Sequence, residues 1–468
     1  MFVLSLYVLY LFAIGLAITG WKSGRDAFER PALGLTTGIL LNFALVLTGQ
    51  PLGRVFVAGS AIGVWGVWRT RNVWRESAAG WLTRNRVLLP ALAAILYVLF
   101  LYGFRILLEP LQAWDARSIW FFHAKKIWMD GALVRAGWDD PTITFSNPDY
   151  PKLVPAMAAQ LGYLRGAWNE FMPKASLLVL LLPVTLWVFA LRRWAPSFVL
   201  LVVLFFFSYH EWLSNGYMDG YLAIYSGLAV LFAGRYLRLG RLFDLQSACC
   251  AVGVACSLKN EGLFFAVCLG ASVLAVAAYA RVTLAGVVRA IRTRPALLVL
   301  PAVSMAPVVG WSVLRTSWHL QNSLTAEPSA AWSRLVSRLS DGESVRLIFE
   351  HLAVRENHLW LLAILLAIVV AANVFERRPL HLGAIAGVST AALHFAGMFL
   401  IYLSTPTGLV GHLETSAFRT MNTTRVVMLM ALYFLMADME RTEEGAECDD
   451  GGEPVPHATG AAQTAVLS

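Results

Sequence analysis

The chain has 468 residues, of which 58% are hydrophobic and 14% charged, with a formal net charge of +8 and a mean hydropathy of +0.63. A soluble protein carries roughly 25% charged residues, so the composition excludes an ordinary soluble globule and points to an integral membrane protein. The positive balance is not a nucleic-acid footprint, because the arginines stand in short clusters between apolar runs, as in inward-facing membrane loops.

In chain order, about thirteen apolar runs approach the roughly 20 residues that cross a bilayer as a helix. They lie near 1–20, 33–49, 53–68, 87–108, 175–191, 197–212, 218–234, 245–258, 262–280, 296–314, 359–375, 380–403 and 425–437. The runs at 53–68, 245–258 and 425–437 are short. The first run lacks a basic flank and a small-residue cleavage site, so it is expected to be a retained span and not a signal peptide. The expected fold is therefore all-α: a polytopic membrane protein with about 13 transmembrane helices. Residues 1–86 are read as N-terminal spans, and 87–437 as the functional membrane region with an external loop at 109–174. Residues 438–468 are read as a disordered cytoplasmic tail with eight acidic residues and one basic, leaving +15 on the rest.

Every second connection is basic: Lys22, Arg25 and Arg30; Arg69, Arg71, Arg75, Arg84 and Arg86; Arg192 and Arg193; Arg235, Arg238 and Arg241; Arg281, Arg289, Arg292 and Arg294; Arg377 and Arg378. Those connections are placed in the cytoplasm, because cytoplasmic loops retain Lys and Arg. The complementary connections, 109–174, 213–217, 259–261, 315–358 and 404–424, then face outward. Almost every unusual polar residue of the chain lies in them.

Trp114-Asp115-Ala116-Arg117-Ser118 follows the fourth run directly. Asp115 is read as a general base acting on an acceptor hydroxyl, since a carboxylate at an apolar boundary can titrate nearer neutrality. The competing reading is a helix N-cap. The helix expected at 117–128 would lie flat with Ile119, Trp120, Ile127 and Trp128 toward lipid and Lys125 and Lys126 toward headgroups.

Asn147-Pro148-Asp149-Tyr150-Pro151-Lys152 reads as a rigid turn between prolines. Asp149 is either a second working carboxylate or turn chemistry, and Tyr150 joins it as a substrate contact. Asp219, in Gly216-Tyr217-Met218-Asp219, sits at a span end, where an acid is functional, paired or a cap. In Leu258-Lys259-Asn260-Glu261-Gly262, Lys259 and Glu261 either pair or serve a phosphate and a hydroxyl. His412 and Arg419, ahead of the last run, are read as substrate contacts against the alternative of snorkelling side chains on an interfacial helix. His123, His319, His351, His358 and His394 show no ligand spacing. No metal site is assigned, no cofactor is implied, and dependence on a divalent metal is left open. Four cysteines lie in apolar runs and one in the tail, without metal or disulfide spacing. No phosphate-cradling glycine loop is present.

Taken together and in order, these five motifs resemble the integral-membrane GT-C glycosyltransferases. The similarity is to the bacterial group related to protein mannosyltransferases and rhizobial lipopolysaccharide-core glycosyltransferases, over residues 87–437. The resemblance implies a GT-C-like fold with amphipathic interfacial helices in the first long external loop. It further implies inverting transfer of a sugar from a polyprenyl-phosphate donor to a hydroxyl of a glycan, lipid or protein acceptor, with Asp115 as the matching catalytic residue. The setting it implies is the bacterial cytoplasmic (inner) membrane, with the active site outside and membrane lipids as partners. Relatives often carry two adjacent acids where this chain has Asp115-Ala116, and Asp149 is the candidate second carboxylate. The alternative function is a transporter or flippase of lipid-linked or anionic solutes, which would gather its polar residues near the midplane. A structural assembly subunit is a third reading.

Overall fold

A computed structural model of the full chain describes residues 2–20, 28–84, 89–189, 210–280, 292–293, 296–320, 328–377 and 380–437. The acidic tail, most of the run at 197–212 and the basic residues Lys22, Arg25, Arg86, Arg192, Arg193, Arg281, Arg289, Arg294 and Arg378 lie outside the described residues.

Among the described residues all regular structure is helical. The early helices are α1 (Phe2–Thr19), α2 (Glu29–Val46), α3 (Leu52–Arg84) and α4 (Leu89–Leu108). A π-helical turn, Ala116–Trp120, leads into α5 (Phe121–Asp130), followed by α6 (Leu153–Arg165) and α7 (Ala175–Phe189). Then come α8 (Asp219–Leu239), α9 (Leu242–Leu258), α10 (Asn260–Tyr279) and α11 (Ala296–Ser317). The last five are α12 (Pro328–Ser340), α13 (Gly342–Phe349), α14 (Leu359–Phe375), α15 (Leu382–Ser404) and α16 (Leu409–Ala437).

A helix lies over every apolar run that falls within the described residues. Five of them are long and apolar enough to cross a bilayer: Phe2–Thr19, Asp219–Leu239, Asn260–Tyr279, Leu298–Ser317 and Leu382–Ser404. The bent pair Gly342–Val354 and Leu359–Phe375 makes six if counted as one span. The described residues are thus all-helical and compatible with a multi-pass membrane protein. Two of the short runs belong to much longer helices: 53–68 lies within the 33 residues of α3, and 425–437 within the 29 of α16. Nothing in the added segments breaks the helix: residues 69–84 of α3 hold no Pro and a single Gly, and residues 412–424, ahead of the apolar stretch of α16, hold neither. The basic segment Arg69–Arg84 is therefore helix and not loop, and Arg69 donates to the Ala17 carbonyl at 2.8 Å near the end of α1.

The chain divides into two compact units. The first comprises Met1–Tyr225, Cys249–Asn260 and Leu300–Gln321; the second comprises Ser226–Ala248, Glu261–Val299 and Asn322–Ser468. In the first unit α1 packs on α2, α3 and α6, and α7 packs on α2 and α4. A polar knot is buried among them: Tyr7 Oη donates to Gln160 Oε1 at 2.7 Å, and Asn42 Nδ2 donates to the same oxygen at 2.7 Å. Tyr10 Oη and Gln160 Nε2 both donate to Asn42 Oδ1 at 3.1 Å. Each group has a partner, which is the condition for carrying amides and phenols inside an apolar bundle. In the second unit, α14, α15 and α16 pack around Leu359, Met398, Tyr402, Leu413 and Met421.

The crossing of α1 and α2 leaves no room for side chains. A Cβ at Gly15 would stand 1.7 Å from the Gly34 carbonyl oxygen, and one at Gly38 would stand 1.8 Å from that of Leu11. Backbone meets backbone there, the close approach that small residues allow between apolar helices. Gly38→Val is expected to force α1 and α2 apart at a cost of about 3 kcal/mol or more, read as a lower thermal midpoint in detergent. An unchanged midpoint would contradict the packing.

Candidate functional site

The site lies in the first unit and begins at the Asp115 turn. Asp115 has helical dihedrals (φ −59°, ψ −35°) and its side chain makes no capping hydrogen bond, so the N-cap reading is not realised. The π-helical turn that follows is a rare geometry, frequent at functional sites. Ser118 Oγ donates to the Trp114 carbonyl at 2.8 Å within this turn. The Asn215-Gly216 turn packs directly against it. Gly216 has φ +94°, and a Cβ there would come within 2.6 Å of Ala116 Cβ. Glycine is thus required both by the dihedral and by the contact. Asn215 Oδ1 accepts from the Tyr217 amide at 3.0 Å, which fixes the turn that leads to Asp219.

Asp219, Lys259, Asp149 and Tyr150 come together. Lys259 Nζ donates to Asp219 Oδ1 at 2.9 Å, with side-chain exposures of 6% and 3%. The next residue, Asn260, donates from Nδ2 to Asp149 Oδ2 at 2.6 Å. The two residues at the break between α9 and α10 therefore hold one buried acid each. Lys259 Nζ also stands 5.9 Å from the Tyr150 ring centre. Tyr150 stacks on Trp120, with centroids 5.5 Å apart and planes at 6°.

A second group fixes the Asp149-Tyr150 turn from beneath. Asn147 adopts φ +50°, and the Tyr150 amide donates to its carbonyl at 3.0 Å. Lys152 is fully buried: Nζ donates to the Pro148 carbonyl at 2.8 Å and to His123 Nδ1 at 3.1 Å. Its charge sits between two indoles, 4.6 Å from the ring centre of Trp138 and 4.9 Å from that of Trp311. With Nδ1 accepting, His123 Nε2 donates to Ser146 Oγ at 3.0 Å, and Ser146 donates to the Ile143 carbonyl at 2.6 Å. This assignment of the tautomer follows from the network. Trp311 Nε1 donates to the Asp149 carbonyl at 3.2 Å. Burial and then the neighbouring Lys152 push His123 well below its usual 6.5. Burial likewise pushes Lys152 well below 10.5, against the opposing effect of Asp149.

The flat lipid-facing helix expected at 117–128 is corrected. Ile119, Trp120 and Ile127 are buried, and α5 packs on α6, itself buried along Leu153–Gly162. Lys126 pairs with Asp130 at 2.9 Å, while Lys125 is exposed. The apolar side of α5 thus meets another helix of the loop, and that burial satisfies it as well as lipid would.

Glu261, His412 and Arg419 belong to the second unit. His412 Nδ1 is 2.8 Å from Thr405 Oγ1 and its ring lies 4.9 Å from that of Tyr402. It stands within electrostatic reach of Arg338, Arg419 and Glu261. Arg419 Nε donates to the Thr415 carbonyl at 3.2 Å. The expected interfacial helix carrying these residues is the first part of α16 and runs on without a break. Among the described residues, no group of three His, Cys, Asp or Glu is placed to hold a metal ion.

Lys152, His123, Trp120 and Asn260 are the participants that the sequence reading passed over. Lys152 and Asn260 stand inside motifs it quoted, but their roles depend on partners from other segments. No protein-family model, no curated protein and no solved structure matches the chain.

Two outcomes follow. Asp219→Asn or Lys259→Met alone breaks the buried ion pair, so each is expected to lose about 3 kcal/mol. The double variant is expected to regain most of it, read as thermal midpoints in detergent. Additive losses would refute the pairing. For pH, the unfolded His123 accepts a proton near 6.5 that the folded one refuses. Stability is therefore expected to fall below pH 6.5 by up to about 1.4 kcal/mol per unit. Lys152 acts in the same direction at higher pH, its folded pKa also being depressed. His123→Asn should flatten the acid limb; an unaltered acid limb would exclude His123 as its source.

Proposed function

We propose that the chain is a GT-C-like glycosyltransferase of the bacterial cytoplasmic membrane. In this reading it moves a sugar from a polyprenyl-phosphate donor to an acceptor hydroxyl on the outer side, with inversion. The observation that carries the reading is the meeting of Asp149, Tyr150, Asp219 and Lys259 in one buried cluster of the first unit, beside the turn that bears Asp115. These residues come from three separate stretches of the sequence, around 149–150, 219 and 259, and a chain with purely structural loops has no reason to gather acids there at the expense of their hydration. The full set of about thirteen spans belongs to this proposal, as does the outward orientation.

The reaction is a single displacement. Asp115 takes the proton of the acceptor hydroxyl; the hydroxyl oxygen bonds to the anomeric carbon; the carbon–oxygen bond to phosphate breaks, and the lipid phosphate leaves with the electron pair. A phosphate leaving group needs its charge met and not a proton. Lys259 would meet it by exchanging Asp219 for the phosphate, as a preorganised cation at a developing negative charge. Asp149, held by Asn260, would orient the sugar or acceptor, and the Tyr150 ring offers a face for a pyranose. Glu261, His412 and Arg419 keep their assignment as substrate contacts on the strength of the resemblance.

Asp115→Asn is expected to fold and insert normally while lowering transfer by at least about 10²-fold. Mass spectrometry of envelope glycans and polyprenyl-linked sugars reads it: the variant accumulates lipid-linked sugar on the outer leaflet and lacks one residue on a glycan. Normal glycans in the variant would remove the base assignment. Accumulation on the cytoplasmic leaflet would assign transport instead.

A further inference from the structure

We infer that α12 lies in the headgroup region of the bilayer, at the Ser404 end of α15, with one flank of the helix bedded in lipid. The inference does not depend on the transferase reading; it depends on α14 crossing the membrane.

Three flanks of α12 are distinguishable at 100° per residue. One packs on α15: Arg334 Nε donates to the Ser404 carbonyl at 2.9 Å. From the same flank Arg338 Nη1 donates to the carbonyls of Tyr402, Leu403 and Thr405 at 3.0–3.2 Å. The two guanidiniums close the end of α15, where carbonyls lack helical partners. Leu335 packs against the apolar core of the second unit. The opposite flank is made of serines, with Ser329, Ser333, Ser337 and Ser340 all exposed. Between them runs an apolar stripe at i, i+4 and i+7: Trp332, Val336 and Leu339, exposed by 67, 48 and 55%.

Water is a poor neighbour for such a stripe, and the fold indicates what covers it. After α13 and the π-helical turn Glu350–Val354, the chain bends by 65° into α14, which is apolar except for Asn373, whose amide donates to the Val369 carbonyl within the helix. The 17 residues of α14 rise about 26 Å, close to a bilayer core of roughly 30 Å. The charges of Glu343, Arg346, Glu350 and Arg355 keep α13 and the following turn out of the hydrocarbon, while the bend turns them away from the axis of α14. The bend itself is clamped. Arg425 Nη2 donates to Asn357 Oδ1 at 3.1 Å, and Asn357 Nδ2 donates to the His351 carbonyl at 2.7 Å. Phe349, half exposed, and the side chains of Arg346 and Arg355, at 73 and 50%, extend the same interfacial character beyond α12. An amphipathic helix with an aromatic residue on its apolar flank and small polar residues on the other settles at this depth.

Spin labels placed one at a time by Val336→Cys, Leu339→Cys, Ser333→Cys and Ser337→Cys, with Cys448→Ala, test this in nanodiscs of phosphatidylethanolamine and phosphatidylglycerol. Collisions with oxygen, which concentrates in lipid, are compared with those of a water-soluble nickel chelate. The oxygen-to-nickel ratio is expected to be several-fold higher at 336 and 339 than at 333 and 337. Equal ratios on both flanks would overturn the inference by placing α12 in water. Low access to both reagents at 336 would overturn it by showing a protein cover. A label from Ile368→Cys, an exposed position on α14, separates the premises. Oxygen-rich there but not at 336 sinks the inference alone, whereas nickel-rich at 368 sinks the span as well.

Discussion

Charged groups between apolar helices must be matched, and in the first unit one short break does the matching. Lys259 and Asn260 are adjacent, yet they meet acids from two different segments, Asp219 and Asp149. At 2.9 Å the Lys259–Asp219 attraction is about 6 kcal/mol at an effective dielectric of 20. Desolvating the two ions costs several kcal/mol each. The sum leaves little net stability, so the pair is better understood as a device of register. It penalises any arrangement in which the end of α9 and the start of α8 are not side by side, because each misplacement strands a charge.

The turn that carries Asp149 and Tyr150 is positioned by different means. Lys152 is enclosed by Trp138 and Trp311, and it donates to the Pro148 carbonyl and to His123. The chain Lys152–His123–Ser146–Ile143 runs in one direction of donation, so it holds α5, the turn and the residues before it in one arrangement. Tyr150 is then presented flat on Trp120. Here packing and hydrogen bonding act where a soluble loop would be left to solvent, and the cost of burying an amine is visible in the downward pull on Lys152 and His123.

How much of this was legible in the sequence follows from what is local. Hydropathy is local, so the helices over the apolar runs were readable, and so was the clustering of polar residues at run ends. The length of α3 and α16 was not, because a window of hydropathy stops at Arg69 or before Val426 while the backbone has no reason to stop. Pairing is not local. Lys259 stands beside Glu261 in the sequence, yet it also reaches Asp219, forty residues away, and nothing local announces that partner. The burial of Trp120 and Ile127 was misread for a related reason. An amphipathic face has the same pattern whether lipid or a second helix covers it, and α6, which covers α5, is itself too uniformly apolar to announce a role.

The matched state of Lys259 bears on how an anionic donor would be chosen in the proposed reaction. A cation with a carboxylate at 2.9 Å projects little field beyond a few ångströms, so it cannot steer a phosphate from afar. The donor would have to be brought close by its lipid and by contacts of its sugar, and only then compete with Asp219 for the ammonium. That order gives selectivity. A free sugar phosphate in bulk water lacks the apolar chain that places it at the membrane, and it would meet a closed ion pair. A lipid-linked donor delivered along the bilayer would meet the same pair at contact distance, where exchange of one oxyanion for another on Lys259 keeps the number of charge-assisted hydrogen bonds constant. Asp219, once displaced, would remain beside the turn that bears Asp115, as a negative group that repels the freed phosphate and favours its departure.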